Sequence, residues 1–453
     1  MAVFGRVPLL SAPLPPHPLL VSQLTVIVLA AGKGTRMRST LPKVLHPVLG
    51  RPLVGWVLET ALELDPARIV LVTSAGGERI EEAARRVVGE RCPLVATVQD
   101  PPRGTGHAVQ VALEAVPEAR EGVVLVLYGD MPLVRAEGLR ELLDVRASAG
   151  AGAMALLTAQ LDDPFGYGRI VRGEDGAVRA IVEEKDCDDE QRTIDETNPG
   201  LYAFDAAGLR AVLPRLSDDN AQGELYLTDT VALFAEDGRP VADVALDDPE
   251  EASGVNSLVQ LSEVRWALQA RILEEHLANG VRIEDPSTTM IDAGVTIGAD
   301  TVIQPFCVLR AGARIGAGCE VGPFAHLRTG AVLEDGAVFG NFCEMKNSTV
   351  GPGSKVKHLT YLGDVTIGTR ANVGAGTVFV NYDGQRKHPT VVEDGAFVGS
   401  GSLIIGPNRV PEGATTAAGA VLTTKASMEP GETWAGVPAR RLRGSDAPPR
   451  EDS

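Results

Sequence analysis

IDAGVTIGADTVIQPFCVLRAGARIGAGCEVG, residues 291–322, holds the pattern that decides the fold of the C-terminal half. Ile291, Ile297, Ile303, Leu309, Ile315 and Val321 recur every six residues, and the spacing continues through Leu327, Leu333, Phe339 and Met345. Four residues after each stands a small or β-branched residue: Val295, Thr301, Cys307, Ala313, Cys319, Ala325, Ala331, Ala337, Cys343 and Thr349. Six is not the period of a half-exposed strand or of a helix. It is the hexapeptide repeat of a parallel β-helix, in which the large residue fills the inside of a three-sided coil and the small one fits at the corner. After one-residue slips the repeat resumes at Val350, Val356 and Leu362, then at Ile367, Val373 and Phe379. Further inward runs are predicted at Val391, Phe397 and Leu403, and at Val410, Thr416 and Leu422. Asn381 to Thr390 skips one repeat and is expected to loop out. The side faces of such a solenoid are open to association, and cyclic oligomers bury them.

Upstream the period changes. Val26-Ile27-Val28-Leu29 reads as a buried strand, Leu53 to Leu64 as a helix, Arg68 to Thr73 as a strand and Glu78 to Val88 as a helix. Val123 to Tyr128 is again a strand and Arg135 to Ala147 a helix. This alternation predicts a Rossmann-like α/β domain with a parallel sheet covered on both faces, whose ligands sit in loops at the C-terminal ends of the strands. Ser257 to Leu277 lacks Gly and Pro and reads as one linking helix. The expected organisation is an α/β domain over 23–256, a helical linker over 257–280 and a left-handed β-helix over 281–444. The Pro-rich residues 1–22 are expected to form a disordered extension, not a signal peptide or membrane span, and 445–453 a disordered tail.

Composition narrows the function classes. Among 453 residues the formal net charge is −18, which disfavours nucleic acid and anionic membranes as partners. Aromatics are 4% while Gly numbers 50, which favours tight backbone turns over an aromatic binding module. Five cysteines without a C-x-x-C spacing point to reduced thiols in a cytoplasmic protein rather than to disulfides or zinc.

Strand 24–29 runs into Ala30-Ala31-Gly32-Lys33-Gly34-Thr35-Arg36-Met37, a Gly-rich turn that lets backbone N–H groups approach phosphates. It is not a P-loop, and alone it is equally a structural turn flanked by solvated basic residues. Asp130 ends a strand, where it suits either a metal or a helix cap. In the second half, the register that puts Val356 inside and Thr360 at a corner turns His358 outward, which disfavours a core histidine and leaves a solvated one open. Arg328, Lys346, Tyr361, Asn372 and Asn381 also fall at outward or corner positions.

The Gly-rich turn with Pro42-Lys43 resembles the signature of sugar-phosphate nucleotidyltransferases. Gln99, Gly104–Ala108, Tyr128–Pro132, Gly166–Ile170, Glu183–Asp186, Asn198–Gly200 and Gly254–Asn256 follow in that family's order. Joined to the repeat, to His358–Asp364 and to Asn381–Gly384, the set resembles the bifunctional N-acetylglucosamine-1-phosphate uridyltransferase/glucosamine-1-phosphate N-acetyltransferase family, from about Leu24 to Arg441. The resemblance implies acetyl transfer from acetyl-CoA to glucosamine-1-phosphate, then Mg²⁺-dependent uridyl transfer from UTP to N-acetylglucosamine-1-phosphate, by a homotrimer. Asp130 and Asn256 would hold the metal. Arg36 and Lys43 would contact phosphates, and Leu29, Ala30, Ala31, Gly32, Tyr128 and Gly129 would line the nucleotide pocket. Gln99, Gly104 and Thr105 would read the uracil, and Gly168, Glu183 and Asn198 the sugar. His107 reads as a structural residue.

For acetyl transfer the resemblance implies His358 as general base, a task suited to an imidazole near neutrality, oriented by Glu344. Arg328, Lys346 and Lys387 would bind phosphates. Tyr361, Asn372, Asn381 and Tyr382 would position sugar and thioester, and Ser400 and Ala418 would line the acetyl-CoA slot. Two positions depart from the family pattern: Gly436, where relatives can carry a basic residue, with Arg440 and Arg441 nearby, and Pro199 inside the sugar-binding turn. Two rival readings remain at this point. One is a glucose-1-phosphate nucleotidyltransferase with a non-catalytic β-helix; the other is a non-catalytic exchange-factor-like subunit.

Overall fold

The computed structural model describes residues 24–32 and 34–442, so the expected extension over 1–22 and the tail over 445–453 lie outside the described residues. The chain divides into two compact units. The first comprises the described residues up to Pro47 together with Pro52–Val264. The second comprises Val48–Arg51 and the described residues from Arg265 onward. The division falls inside the long helix, and it assigns residues 48–51 to the second unit, a detail the sequence reading did not contain.

In the first unit β1 (Leu24–Leu29) is followed by a small hairpin of β2 (Pro47–Val48) and β3 (Arg51–Pro52), then by α1 (Leu53–Leu62), β4 (Arg68–Ser74), α2 (Glu78–Val88) and β5 (Leu94–Gln99). Next come α3 (Thr105–Ala115), β6 (Val123–Tyr128), α4 (Ala136–Ser148), β7 (Met154–Gln160), β8 (Gly168–Arg172) and β9 (Val178–Val182). β10 (Glu196–Asn198), β11 (Tyr202–Asp205), α5 (Ala206–Val212), α6 (Asp229–Glu236), β12 (Val241–Ala245) and α7 (Leu258–Ala278) complete the series.

The main sheet runs β5-β4-β1-β6-β11-β7-β10-β8-β9, with β12 on β7. Only part of it is parallel as expected. β5, β4, β1 and β6 are parallel, but β11 is antiparallel to both β6 and β7. β1 alternates between two cores: Val26 and Val28 face one apolar cluster, Ile27 and Leu29 the other. A strand buried on both faces must be apolar throughout, as this one is. Because β4 lies on one side of β1 and β6 on the other, the strand order reverses at β1. A crevice therefore opens at the carboxyl ends of β1 and β6.

In the second unit short strands stack into three sheets, parallel except where Thr433–Ala435 meets Arg440–Arg441 at the end, consistent with a left-handed β-helix. Val302 pairs with Glu320 and Glu320 with Val338, so one coil takes eighteen residues. The next coil is one residue shorter, Val338 pairing with Lys355. Ile303, Leu309, Val321, Leu327, Phe339, Met345, Val356 and Leu362 are fully buried inside, with Cys307, Ala313, Ala325 and Ala337 at the corners. The expected inward residues Val391, Phe397 and Leu403 are instead exposed, and Val392, Val398 and Ile404 are buried. Each pair is apolar at both positions, and steps of six taken back from Val410 land on Ile404, Val398 and Val392, so the inward phase here is that of the run that follows. Asn372 pairs with Phe397, a coil of twenty-five residues, and the surplus leaves as an excursion between Val380 and Thr390.

One corner of the coils carries a column of exposed phenylalanines. Phe306, Phe324 and Phe342 adopt left-handed φ values of 62°, 56° and 54°, and consecutive rings stack with centroids 4.7 Å apart. This is the spacing of stacked strands. Leu359 continues the column, and the corner then passes to Gly376, Gly401 and Gly419.

Candidate active sites

The Gly-rich turn folds back against Lys43. A Cβ on Gly34, whose φ is +58°, would lie 2.6 Å from Lys43 Cβ, so only glycine fits there. Lys43 is thereby aimed into the crevice. Its ammonium donates to Asp130 Oδ2 and, at 3.0 Å, to Asn256 Oδ1. Asn256 reaches this point because the Val255 N–H donates to the Asp130 carbonyl at 2.9 Å, pinning a segment distant in sequence to the end of β6. Two oxygen donors thus converge on one cation. A carboxylate and an amide oxygen form a set that suits Mg²⁺, which takes few protein ligands and keeps waters.

A cavity of about 600 Å³ opens above this point. Leu29, Ala30, Ala31, Gly32, Lys43, Gln99, Gly104, Thr105, Tyr128 and Asp130 all line it. Gln99 is buried; its amide nitrogen donates to the Gly104 carbonyl at 2.8 Å and lies 3.2 Å from His107 Nδ1. Gly129, expected to line the pocket, does not line this cavity; its N–H donates to the Leu29 carbonyl at 2.9 Å. Arg36 is exposed and does not line the cavity.

A second cavity of about 220 Å³ shares Thr105, Tyr128 and Glu224 with the first. Gly168, Glu183 and Asn198 line it. Glu183 accepts from the Thr228 hydroxyl at 3.0 Å. Burial pushes its carboxyl above the usual carboxylate range, Thr228 opposes that shift, and Asp229, Asp186 and Glu224 add to it. Asn198 is occupied in its own turn: Oδ1 accepts from the Gly200 N–H at 3.0 Å and Nδ2 donates to the Tyr202 hydroxyl at 2.7 Å. Pro199 is thus accommodated, and Gly200 is required because a Cβ there would lie 2.6 Å from the Tyr128 ring.

In the β-helix, His358 ends a strand, is exposed, and has no side-chain hydrogen-bond partner among the described residues. Below it the same corner continues through Ala375-Gly376, Ser400-Gly401 and Ala418-Gly419, each linked to the coil above by a backbone hydrogen bond. Asn372 is exposed on the adjoining face, where it pairs with Lys355. Across the neighbouring face a second group gathers. Tyr361 and Asn381 converge over Gly363, where a Cβ would lie 2.7 Å from the Tyr361 hydroxyl and 2.6 Å from Asn381 Nδ2. Lys346 pairs with Gly363, and Lys387 and exposed Tyr382 bridge each other in the excursion. The expected link from Glu344 to His358 is absent: Glu344 instead accepts from Arg328 Nη1 at 2.8 Å.

A family model of the MobA-like NTP transferase domain matches residues 26–222. Over nearly the whole chain, a protein of Thermobifida fusca named bifunctional protein GlmU is 42% identical, with 88% of this chain and 89% of the relative covered. The GlmU protein of Alkalilimnicola ehrlichii is 44% identical over 90% and 93%. That of Mycobacterium tuberculosis is 43% identical over 88% and 87%. The chain belongs to the GlmU family. It is a bifunctional enzyme of UDP-N-acetylglucosamine synthesis, with uridyltransferase and acetyltransferase activity. Both rival readings of the sequence give way to this assignment.

Several GlmU features escaped the sequence reading. Glu224, Tyr226 and Thr228 line the cavities but lie on a loop whose alternating polar and apolar residues carry no recognisable motif. Near Gly436, Arg441 pairs with Glu432 at 3.0 Å, whereas exposed Arg440 meets the Ala439 carbonyl. The five cysteines are free and buried. Among the described residues no helix is long and apolar enough to cross a membrane, and no cluster of three or more His, Cys, Asp or Glu suits a metal ion.

Proposed function

We propose that the two units divide the two transfers between them. In the first, a phosphate oxygen of N-acetylglucosamine-1-phosphate attacks the α-phosphorus of UTP and pyrophosphate leaves. Asp130 and Asn256 would hold Mg²⁺, which when bound neutralises phosphate charge. Lys43 and Arg36 add positive charge, and the two joined cavities hold nucleotide and sugar side by side, with Gln99, Gly104 and Thr105 towards the uracil and Gly168, Glu183 and Asn198 towards the sugar. The work is alignment and charge neutralisation in a fixed frame.

In the second, the amine of glucosamine-1-phosphate attacks the thioester carbonyl of acetyl-CoA. An N–C bond forms, the C–S bond breaks, and His358 takes the amine proton and returns it to the departing sulfur. Arg328, Lys346 and Lys387 bind phosphate. Tyr361, Asn372, Asn381 and Tyr382 position the reacting groups, and the bare corner at Ser400 and Ala418 seats the coenzyme arm. Arg440 supplies a cation near Gly436. The observation that carries this reading is His358: exposed, without a side-chain partner among the described residues, and at the head of a corner stripped of side chains. A purely regulatory coil has no use for it.

The open side faces of the solenoid, together with the family, support a homotrimer. Unpaired thiols fit a cytoplasmic enzyme. The test supplies glucosamine-1-phosphate, acetyl-CoA, UTP and Mg²⁺ and follows both products. Release of neither free thiol nor pyrophosphate overturns the proposal.

A further inference from the structure

Asp364 sits where the excursion over 381–389 leaves and rejoins the coil. Its Oδ2 accepts from Asn381 Nδ2 at 2.5 Å, at the start of the excursion, and its backbone carbonyl accepts from the Thr390 N–H at 3.1 Å, at the end. Its Oδ1 accepts from Asn347 Nδ2 at 2.5 Å. Between these two ends the excursion is tied to itself. The His388 N–H donates to the Asn381 carbonyl at 2.7 Å, and Asp383 accepts from the Gln385 and Arg386 N–H groups and meets His388 Nε2 at 2.7 Å. A cavity of about 280 Å³ beside it is lined by Asn347, Asp364, Thr366, Lys387 and Pro389.

The corner itself does not need a carboxylate. Asp364 has a left-handed φ of 53°, but Asn347 holds the same conformation at 49° one coil earlier, and asparagine tolerates it at least as well. What distinguishes a carboxylate is that it only accepts hydrogen bonds. Both amides must therefore turn their nitrogens towards it. The geometry points to Asp364 as the positioning residue of the acetyl-transfer site: by capturing Asn381 Nδ2 it forces Asn381 Oδ1 outward, as an acceptor for an N–H group of the bound substrate. This rests on the acetyl-transfer reading above. The ionised form is the one the surroundings favour. Burial works against it, but the Asn347 and Asn381 amides, with Lys387 and Lys346 nearby, hold the carboxyl below its usual range.

Asp364→Asn keeps the backbone preference but offers one acceptor and one donor where two acceptors are needed. In the full-length enzyme we expect kcat/KM for acetyl transfer to fall roughly 10- to 100-fold, the effect of leaving one polar partner unmatched. Uridyl transfer, and the acid limb of the acetyl-transfer pH profile, should stay in place. The exchange D364N/N381D restores complementarity. The amide introduced at position 364 would serve Asn347 with its oxygen and the carboxylate introduced at position 381 with its nitrogen, leaving an outward acceptor at 381. The exchange should recover at least tenfold over the N381D single variant. Acetyl transfer by D364N within twofold of the parent, or an exchange no better than either single variant, overturns the inference. If D364N also lowers the melting transition of the second unit, the exchange alone decides on the same criterion. Full acetyl transfer by His358→Ala would instead defeat the underlying reading and leave the role of Asp364 in ordering the excursion to the exchange.

Discussion

Gly363 offers a sharp test of the acetyl site, because it lies in an ordinary strand that alanine also adopts while its missing side chain makes room for two functional groups. A methyl at Gly363 would stand 2.6 Å from Asn381 Nδ2, 2.7 Å from the Tyr361 hydroxyl and 2.8 Å from Asn381 Cγ, against 3.4 Å for ordinary contact. The amide must therefore retreat by about 0.8 Å, the difference between 2.6 and 3.4 Å. A misplacement near 1 Å costs on the order of 10²-fold in rate when the displaced group orients a reacting one, so Gly363→Ala should lower acetyl-transfer kcat/KM by roughly 10- to 100-fold. The clashing atoms are side-chain ends, so stability should fall by no more than about 1–3 kcal/mol, the usual cost of overpacking. Thiol release from acetyl-CoA, pyrophosphate release from UTP and a thermal melt separate these effects in one preparation. Acetyl transfer within twofold of the parent would refute the placement of Asn381 and Tyr361 at the reaction centre. A parallel loss of uridyl transfer would show that the substitution acts through folding.

His358→Ala should abolish acetyl transfer and spare pyrophosphate release; loss of both together contradicts a division of labour. Asp130→Asn should do the reverse, and unchanged Mg²⁺ dependence in that variant removes Asp130 from the metal site. Glu183→Gln keeps the Thr228 contact while removing a carboxyl whose folded-state pKa is raised. Such a group weakens the folded state once ionised and is neutral in effect below its unfolded pKa. The variant should therefore melt higher at neutral pH, lose that advantage as pH falls through the carboxylate range, and bind N-acetylglucosamine-1-phosphate more weakly; an advantage that persists at acid pH disproves the sign. Phe339→Ala, at a fully buried inward position, should cost about 3–5 kcal/mol in chemical denaturation of the second unit, and a loss below about 1 kcal/mol would show that the residue does not fill the coil.

Much of this molecule is legible in its residues because two periods dominate it. From Ile303 to Leu362 a run in steps of six, with one step of five from Met345 to Val350, fixes the inward face even where two apolar neighbours stand together, as at Val308-Leu309 and Val338-Phe339. At Val391-Val392, Phe397-Val398 and Leu403-Ile404 the excursion has interrupted the run, and the phase is set by the steps of six that lead on to Val410. The lining of the larger cavity was readable where glycine spacing constrains the backbone, from Ala30 to Gly32 and at Gly104. Thr228 and Glu224 were not, because they arrive from a loop whose path depends on packing. Glu344 had an acidic side chain at a plausible height, but Arg328, one coil earlier on the same face, claims it. Asn198 shows the opposite lesson: a residue singled out for sugar contact also builds the turn that presents it.

The twenty-five-residue coil has a consequence for how such an enzyme changes over time. Each turn of the solenoid touches only its neighbours. Strands on either side of the excursion keep their pairing, Asn372 to Phe397 and Val365 to Thr390, as though nothing had been inserted. Lengthening a closed loop adds only a slowly growing entropic penalty. Chemistry can therefore be grafted at a corner, revised residue by residue, or shortened, while the scaffold that spaces it stays untouched.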